Sequence, residues 1–281
     1  MILCINSGSS SIKFSFFKTD DTLSSVFYGD MESIGTNHTV LSFTNTVRSG
    51  RGQIPVNTSD YGDAVSFFIE WLTMQQDFKI VKAIGHRIVH GMQHTEPEPI
   101  TTELINYLKG ILAYDSEHLP QEIKLIELFL QRFPLLKQVA CFDTAFHSNM
   151  PMVAKLLSIP RRYFTKGIQH YGFHGLSYSY LMEELERLAG NTVASGKIIL
   201  AHLGSGASLA AVKEGKSIDT SMGFTPSSGL IMSTRTGDLD PGIATYLMEV
   251  EKLSPQAYSH LVNHESGLLG ISETSSGMRE L

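Results

Sequence analysis

Two short stretches of this chain carry residue types that could hold a phosphate group: Ser7-Gly8-Ser9-Ser10-Ser11 and Gly204-Ser205-Gly206-Ala207-Ser208. A turn rich in hydroxyls and glycine between antiparallel strands can offer successive backbone N–H groups and side-chain O–H donors to an anion. Turn chemistry alone also favours these residues, so an ordinary polar hairpin tip is the competing reading of either stretch taken singly. Neither is a P-loop, because no G-x-x-x-x-G-K-S/T string precedes a helix; Lys13 lies instead on the strand leaving the first turn. Asp143 follows the apolar run Val139-Ala140-Cys141-Phe142, at the carboxyl end of a predicted strand, where open α/β sheets place ligand groups.

A histidine metal site is not indicated, since His86 and His90 fall within a predicted strand rather than on one helical face. Cys4 and Cys141 each sit inside an apolar run, at 2–5 and 139–142. They are expected to be buried free thiols that pack as small hydrophobes, as two isolated cysteines give neither a metal spacing nor a disulfide framework.

These residues need a scaffold, and the hydrophobic pattern supplies one. Strands are predicted at 2–5, 12–17, 26–30 and 39–43, then a helix over 60–75 that buries Ala64, Phe67, Phe68, Trp71 and Leu72. The predicted order is four strands, then helix. A strand follows at 81–90, a helix capped by Thr101 reaches Ala113, and a second helix with Pro120 in its first turn reaches Arg132. From Lys197 the pattern restarts, with strands at 198–203, 209–212 and 216–220 around the second Gly/Ser turn. The echo suggests two similar folding units facing one another across a cleft. Asp240-Pro241 and Ser254-Pro255 each read as a cap with proline in the first helical turn. No closing strand follows before Leu281, so the expectation is a fragment whose chain continues further.

At 281 residues, two domains are the better prior. An apolar share of 42% and a charged share of 18% exclude a disordered chain. A net charge of −6 argues against a nucleic-acid surface, which needs clustered Lys and Arg. No apolar run approaches the roughly 20 residues that span a bilayer, and the opening Met1-Ile2-Leu3-Cys4 lacks a basic leader region. The expected location is therefore the cytosol, with no membrane partner.

Several ordered strings then resemble one family. Asn6-Ser7-Gly8-Ser9-Ser10-Ser11-Ile12-Lys13 is similar to the opening signature of the acetate kinases, within the actin, Hsp70 and sugar-kinase superfamily. Gly85-His86-Arg87-Ile88-Val89-His90-Gly91, Phe142-Asp143-Thr144-Ala145-Phe146-His147, Tyr171-Gly172-Phe173-His174-Gly175 and Asp219-Thr220-Ser221-Met222-Gly223-Phe224-Thr225-Pro226 agree in order, as does Thr234-Arg235 with Gly237-Asp238. The resemblance implies an α/β, two-domain actin-like ATPase fold of the ribonuclease H type, divided at 1–148 and 149–281, with the second domain incomplete. It implies reversible phosphoryl transfer from ATP to acetate, propionate or butyrate, with Mg²⁺, in a homodimer whose domains close over the substrates.

The resemblance also implies roles. Arg87 would meet the carboxylate and Arg235 the migrating phosphoryl group, a task that suits bidentate, permanently charged guanidinium groups. His174 would donate to an equatorial phosphoryl oxygen, with His118 as a second donor. Val89, Phe173 and Pro226 would line the acyl pocket. Ser9, Ser10, Ser11, Lys13, His202, Leu203, Gly204, Ser205, Gly206, Gly277, Met278 and Arg279 would contact the nucleotide. Asn6 and Asp143 would reach the metal, mainly through water. Asp143 carries the family's acid/base label, yet acetate is already ionised at neutral pH, so its attacking oxygen has no proton to lose. Orientation is the favoured role.

Several positions depart from the family's pattern. Asp115-Ser116-Glu117-His118-Leu119-Pro120 puts Glu117 where a leucine lines the acyl pocket, and Ser205 and Gly277 replace side chains expected to contact nucleotide. Leu176, Tyr178 and Ser233 are further changes within matched strings. A nucleotide- or partner-binding member with weak catalysis is the alternative these changes raise; a sugar kinase is disfavoured by the Arg87 string.

Overall fold

A computed structural model describes residues 1–281 except Ser9, Asp21, Thr22, Arg48 and Ser59. The chain divides into two compact units: 1–91 with 96–142, and 92–95 with 143–281.

The first unit is built on a sheet of eight strands among the described residues, in the order β5-β4-β3-β2-β1-β6-β8-β7. The strands are β1 (Ile2–Ser7), β2 (Ile12–Phe17), β3 (Ser25–Glu32), β4 (Val40–Asn45), β5 (Gly50–Pro55), β6 (Ala83–Ile88), β7 (Glu98–Pro99) and β8 (Lys137–Phe142). β1 to β5 form an antiparallel meander, whereas β6 runs parallel to both β1 and β8. The helices are α1 (Tyr61–Met74), α2 (Thr102–Gly110) and α3 (Leu119–Arg132). Asp60 caps α1 by accepting from the Asp63 N–H, and Thr101 caps α2 by accepting from Leu104, which satisfies donors that the first helical turn leaves open. Side chains alternate across each strand, so Leu3 and Ile5 of β1 join Phe14, Phe16 and Phe27 in a core closed by Phe68, Trp71, Leu125 and Phe129. Edge-to-face and stacked rings knit this core, with Phe14 and Phe27 centroids 5.7 Å apart at 85°.

Four expectations need correction here. Five strands, not four, precede α1; Gly50–Pro55 carries two glycines and a proline and escapes a search for β-branched runs. The strand expected to reach His90 stops at Ile88, and the helix expected to reach Ala113 stops at Gly110, continuing as a 3₁₀ turn at Leu112–Tyr114. The cysteines are not core residues: Cys4 is exposed and Cys141 half-buried. The pleat explains this, because Cys4 alternates with buried Leu3 and Ile5 and so lies on the opposite face of the sheet.

The second unit carries a three-stranded antiparallel sheet in the order β11-β10-β9, from β9 (Lys197–Leu203), β10 (Ala207–Lys213) and β11 (Lys216–Thr220). Its helices are α4 (Met152–Lys155), α5 (Gly175–Ala189), α6 (Asn191–Ala194), α7 (Pro241–Glu249), α8 (Pro255–His264) and α9 (Gly267–Ser272). Asp240 and Ser254 cap α7 and α8 ahead of a proline, as the sequence predicts. Tyr178 of α5 sits in a core with Leu200, Ala210 and Val212 of the sheet. No helix among the described residues is long and apolar enough to cross a membrane.

Candidate active site

The two Gly/Ser turns are hairpin tips with a shared construction. In the first, Gly8 N–H donates to the Ser11 carbonyl at 2.8 Å, and the Ser10 carbonyl accepts from Ile34, a residue beyond the third strand. In the second, Gly204 N–H donates to the Gly206 carbonyl at 3.0 Å, and the Ser205 carbonyl accepts from Ser233, again beyond the third strand of its sheet. Each tip is thus closed across its own turn and tethered from outside. Ser9 lies outside the described residues.

In the first unit, strand register sets the neighbours of the tip. Asn6 pairs with Lys13, and Cys4 and Ile5 of β1 pair with Gly85 and His86 of β6, which brings Arg87 beside Asn6. Arg87 Nη1 donates to Asn6 Oδ1 at 3.1 Å. Two residues on, the buried Val89 N–H donates to both carboxylate oxygens of Glu122, at 3.1 and 3.2 Å. Glu122 is itself buried, in the first turn of α3, where a carboxylate complements the helix dipole. Tyr61 hydrogen-bonds Ser7 and has its phenol pKa pushed up, chiefly by burial. His118 precedes α3 and is held by Asp115, whose Oδ1 accepts the His118 backbone N–H at 3.2 Å and lies 3.0 Å from Nδ1. Glu117 is half-buried.

The second unit holds the densest polar arrangement. Asp143 is buried, and its two carboxylate oxygens accept the backbone N–H groups of His174 at 3.0 Å and Leu176 at 3.4 Å, while its carbonyl accepts from Gly175 at 2.8 Å. This carboxylate therefore caps α5, a helix whose first residues supply no side-chain cap of their own. Glycine is required at 175, because a Cβ there would stand 2.2 Å from the Asp143 carbonyl oxygen. His174, at the start of α5, occupies the left-handed region at φ 60°, uncommon for a residue other than glycine.

The His174 ring stacks on His202, centroids 3.9 Å apart and planes 16° from parallel. His174 Nδ1 is 2.8 Å from Ser208 Oγ, and His202 Nδ1 is 3.0 Å from Ser177 Oγ. Gly206 is where the donors converge: a Cβ there would lie 3.2 Å from His174 Nε2 and 3.3 Å from Arg235 Nη2. Arg235 is aimed by Nη1, which donates to the Pro226 carbonyl at 2.6 Å. Its loop is fixed by backbone bonds to the 266–269 segment, including Leu268 N–H to the Met232 carbonyl at 2.9 Å.

Of the remaining expected residues, Phe173 is wholly buried, and its carbonyl lies 3.1 Å from His147 Nε2. Burial lowers the His147 pKa to about 4, so the ring is neutral and can donate from Nε2 while Nδ1 accepts from Ser217 at 2.8 Å. Leu203 is exposed at the end of β9. Gly277 N–H donates to Ser275 Oγ at 3.0 Å in a turn that leaves Met278 exposed and Arg279 on the surface.

Glu122, Ser208 and Tyr178 carry positioning bonds that sequence reasoning passed over. Glu122 leaves one trace, an acidic residue among Leu119, Ile123 and Ile126 on the buried face of a helix. Tyr178 occupies a changed position in a matched string, but its reach to Ser208 depends on how α5 lies against β10.

Comparison with solved structures defines the class. The chain shares its fold with a propionate kinase from Francisella tularensis subsp. tularensis SCHU S4 (TM-score 0.90, 36% identity, 99% of this chain and 71% of that one). It also matches the acetate kinase of Porphyromonas gingivalis (TM-score 0.84, 33% identity, 99% of this chain and 71% of that one). The architecture is that of the actin-like ATPases. A model of the acetokinase family matches residues 1–281, and acetate kinases of Thermoanaerobacterium thermosaccharolyticum and Rickettsia typhi are 40% and 37% identical over the whole chain, which covers 71% and 72% of their lengths. The chain belongs to the acetokinase family, ATP-dependent kinases that phosphorylate a carboxylate.

Proposed function

We propose that this protein works as an acetate kinase, moving the terminal phosphoryl group of ATP directly to acetate or a similar short-chain carboxylate and back. The observation that carries the residue-level reading is the convergence of His174 Nε2 and Arg235 Nη2 on the Gly206 turn. A phosphoryl group in flight spreads negative charge over its equatorial oxygens, and donors held in place beforehand stabilise it without reorganising. An arginine in this role is worth on the order of 10³ to 10⁵ in rate.

Both substrates are anions. At an effective dielectric near 20, two unit charges about 4 Å apart repel by roughly 4 kcal/mol. Arg87 offsets this on the carboxylate side, with its guanidinium oriented by Asn6. Val89, His118, Phe173 and Pro226 shape the acyl site. The propionate kinase among the structural relatives supports a pocket with room for one further carbon. Ser9, Ser10, Ser11 and Lys13, and His202 through Gly206, contact the nucleotide phosphates; Gly277, Met278 and Arg279 face the nucleoside.

Asp143 acts as an orienting group and not as a base. Its oxygens hold the first turn of α5, and the acceptor arrives already ionised. Mg²⁺ enters as the nucleotide complex. Mg²⁺ keeps most of its waters and binds mainly to phosphate oxygens in sites of this kind. Asp143 orients the ion through a metal-bound water. Asn6 reaches the ion mainly through water, and its Oδ1 also accepts from Arg87. The working form is a cytoplasmic homodimer.

Incubating the protein with acetate, ATP and Mg²⁺ in hydroxylamine tests this. The expected product is the hydroxamate of the trapped acyl phosphate, in amounts matching ADP. Nucleotide binding with no hydroxamate from acetate, propionate or butyrate would defeat it.

A further inference from the structure

We propose that Tyr178, acting through Ser208, fixes the tautomer of His174 so that its ring proton sits on Nε2, toward Gly206 and the migrating phosphoryl group. This deepens the proposed role of His174 and rests on it. The three groups form a continuous chain: Tyr178 Oη lies 2.5 Å from Ser208 Oγ, and Ser208 Oγ lies 2.8 Å from His174 Nδ1. Tyr178 and Ser208 are both completely buried, so water does not compete for these bonds.

The direction of the chain follows from its proton count. A serine hydroxyl has one proton, so Ser208 can donate to His174 or to Tyr178 but not to both. If His174 carried its proton on Nδ1, Ser208 would accept it and donate to the phenol oxygen, and the phenol would need a further acceptor. Among the described residues, the Tyr178 hydroxyl meets Ser208 and the backbone of His202. Against the stronger effect of burial, Ser208 and then the His202 backbone hold the phenol's pKa down, and a backbone group does that by donating its N–H. The phenol proton thus goes to Ser208, the Ser208 proton to His174 Nδ1, and the imidazole proton stays on Nε2.

Rigidity supports the assignment. The Tyr178 ring packs on Phe146 and His147, with centroids 5.8 and 5.7 Å away, which fixes where its hydroxyl points. His202, stacked on the opposite partner of the chain, keeps the His174 ring from turning over. Tyr178 and Ser208 are positioning residues; neither needs to touch substrate.

The test is long-range ¹H–¹⁵N spectroscopy of full-length protein labelled with ¹⁵N-histidine, the His174 signals being those lost in His174→Gln. The wild type should show the Nε2–H tautomer. Tyr178→Phe and Ser208→Ala should each shift His174 toward the Nδ1–H form and lower kcat by about tenfold with the KM for ATP little changed. Tyr178→Phe keeps the ring and its packing, so it carries the test alone should Ser208→Ala not fold. An unchanged tautomer in a folded variant overturns the relay, and a changed tautomer with full turnover overturns its part in catalysis. Failure of the underlying reading looks different: His174→Gln would then turn over normally, whatever tautomer the wild type shows.

Discussion

The Asp143 carboxylate accepts the backbone N–H of His174 at 3.0 Å, so the group that carries the family's acid/base label is tied to the backbone of the residue proposed to meet the phosphoryl group. The same carboxylate takes the Leu176 N–H, and together these bonds replace the missing cap of α5. An anion at a helix N-terminus complements the exposed donors and the dipole there.

Removing this group should therefore cost stability as well as turnover. Asp143→Ala is expected to lose about 1 to 2 kcal/mol, the usual scale for a lost N-cap, together with most of kcat. Asp143→Asn keeps one acceptor oxygen and should recover part of both. Chemical denaturation alongside steady-state kinetics checks this; full stability with kcat abolished in both variants would restore the acid/base role.

Arg87→Ala should chiefly raise the KM for the carboxylate, by about a hundredfold, and leave ATP binding little altered. A charge-assisted pair is worth roughly twice a neutral hydrogen bond, and lysine at this position cannot reproduce the bidentate geometry. Initial rates across a grid of both substrates give the answer. An equal loss in both KM values would remove Arg87 from the carboxylate side.

Glu122 offers a test of positioning at a distance from substrate. Glu122→Ala leaves the buried Val89 N–H without its acceptor and should cost about 1 to 3 kcal/mol, with a raised KM for the carboxylate. Glu122→Gln retains an acceptor and should fall in between. Thermal melts and carboxylate titrations of both variants decide it, and wild-type behaviour of Glu122→Ala would leave Val89 held by something else.

Three buried histidines make stability depend on pH. Burial lowers the pKa values of His86, His90 and His147 to about 4 in the folded protein. In the unfolded chain they return to about 6.5. Between these values the unfolded state binds more protons, so stability is complete above about pH 6.5 and falls as pH drops toward 4, by up to about 3 kcal/mol per histidine. Urea midpoints measured from pH 7 to 4.5 should decline, and His86→Gln should make the decline shallower. A flat wild-type profile over that range contradicts the burial of these rings.

Much of this was legible in the residues themselves. Period-two and helical apolar patterns marked the β1–β2 and β9–β10 hairpins, and the Thr101, Asp240 and Ser254 caps all stand where their side-chain chemistry indicates. β5 was not legible, since Arg51, Gly52 and Gln53 owe their extended form to pairing with β4 rather than to their own propensity. α5 was hidden for a related reason. Its cap comes from Asp143, thirty-one positions earlier than His174, and no local signal announces a cap supplied from so far away. Cys4 was misread because a short apolar run does not say which of its members faces the core. The site residues were found as strings, whereas the bonds that aim them, from Ser208, Glu122 and Pro226, depend on packing that strings do not encode.

The most direct test is the affinity of the protein for MgADP with fluoroaluminate and acetate, a stand-in for the phosphoryl group midway between donor and acceptor. Measured by calorimetry, His174→Gln and Arg235→Ala should each weaken this assembly by about a hundredfold or more while binding MgADP alone nearly as the wild type does. Unchanged affinity for the assembly in either variant would contradict the claim that these two side chains stabilise the phosphoryl group in transfer.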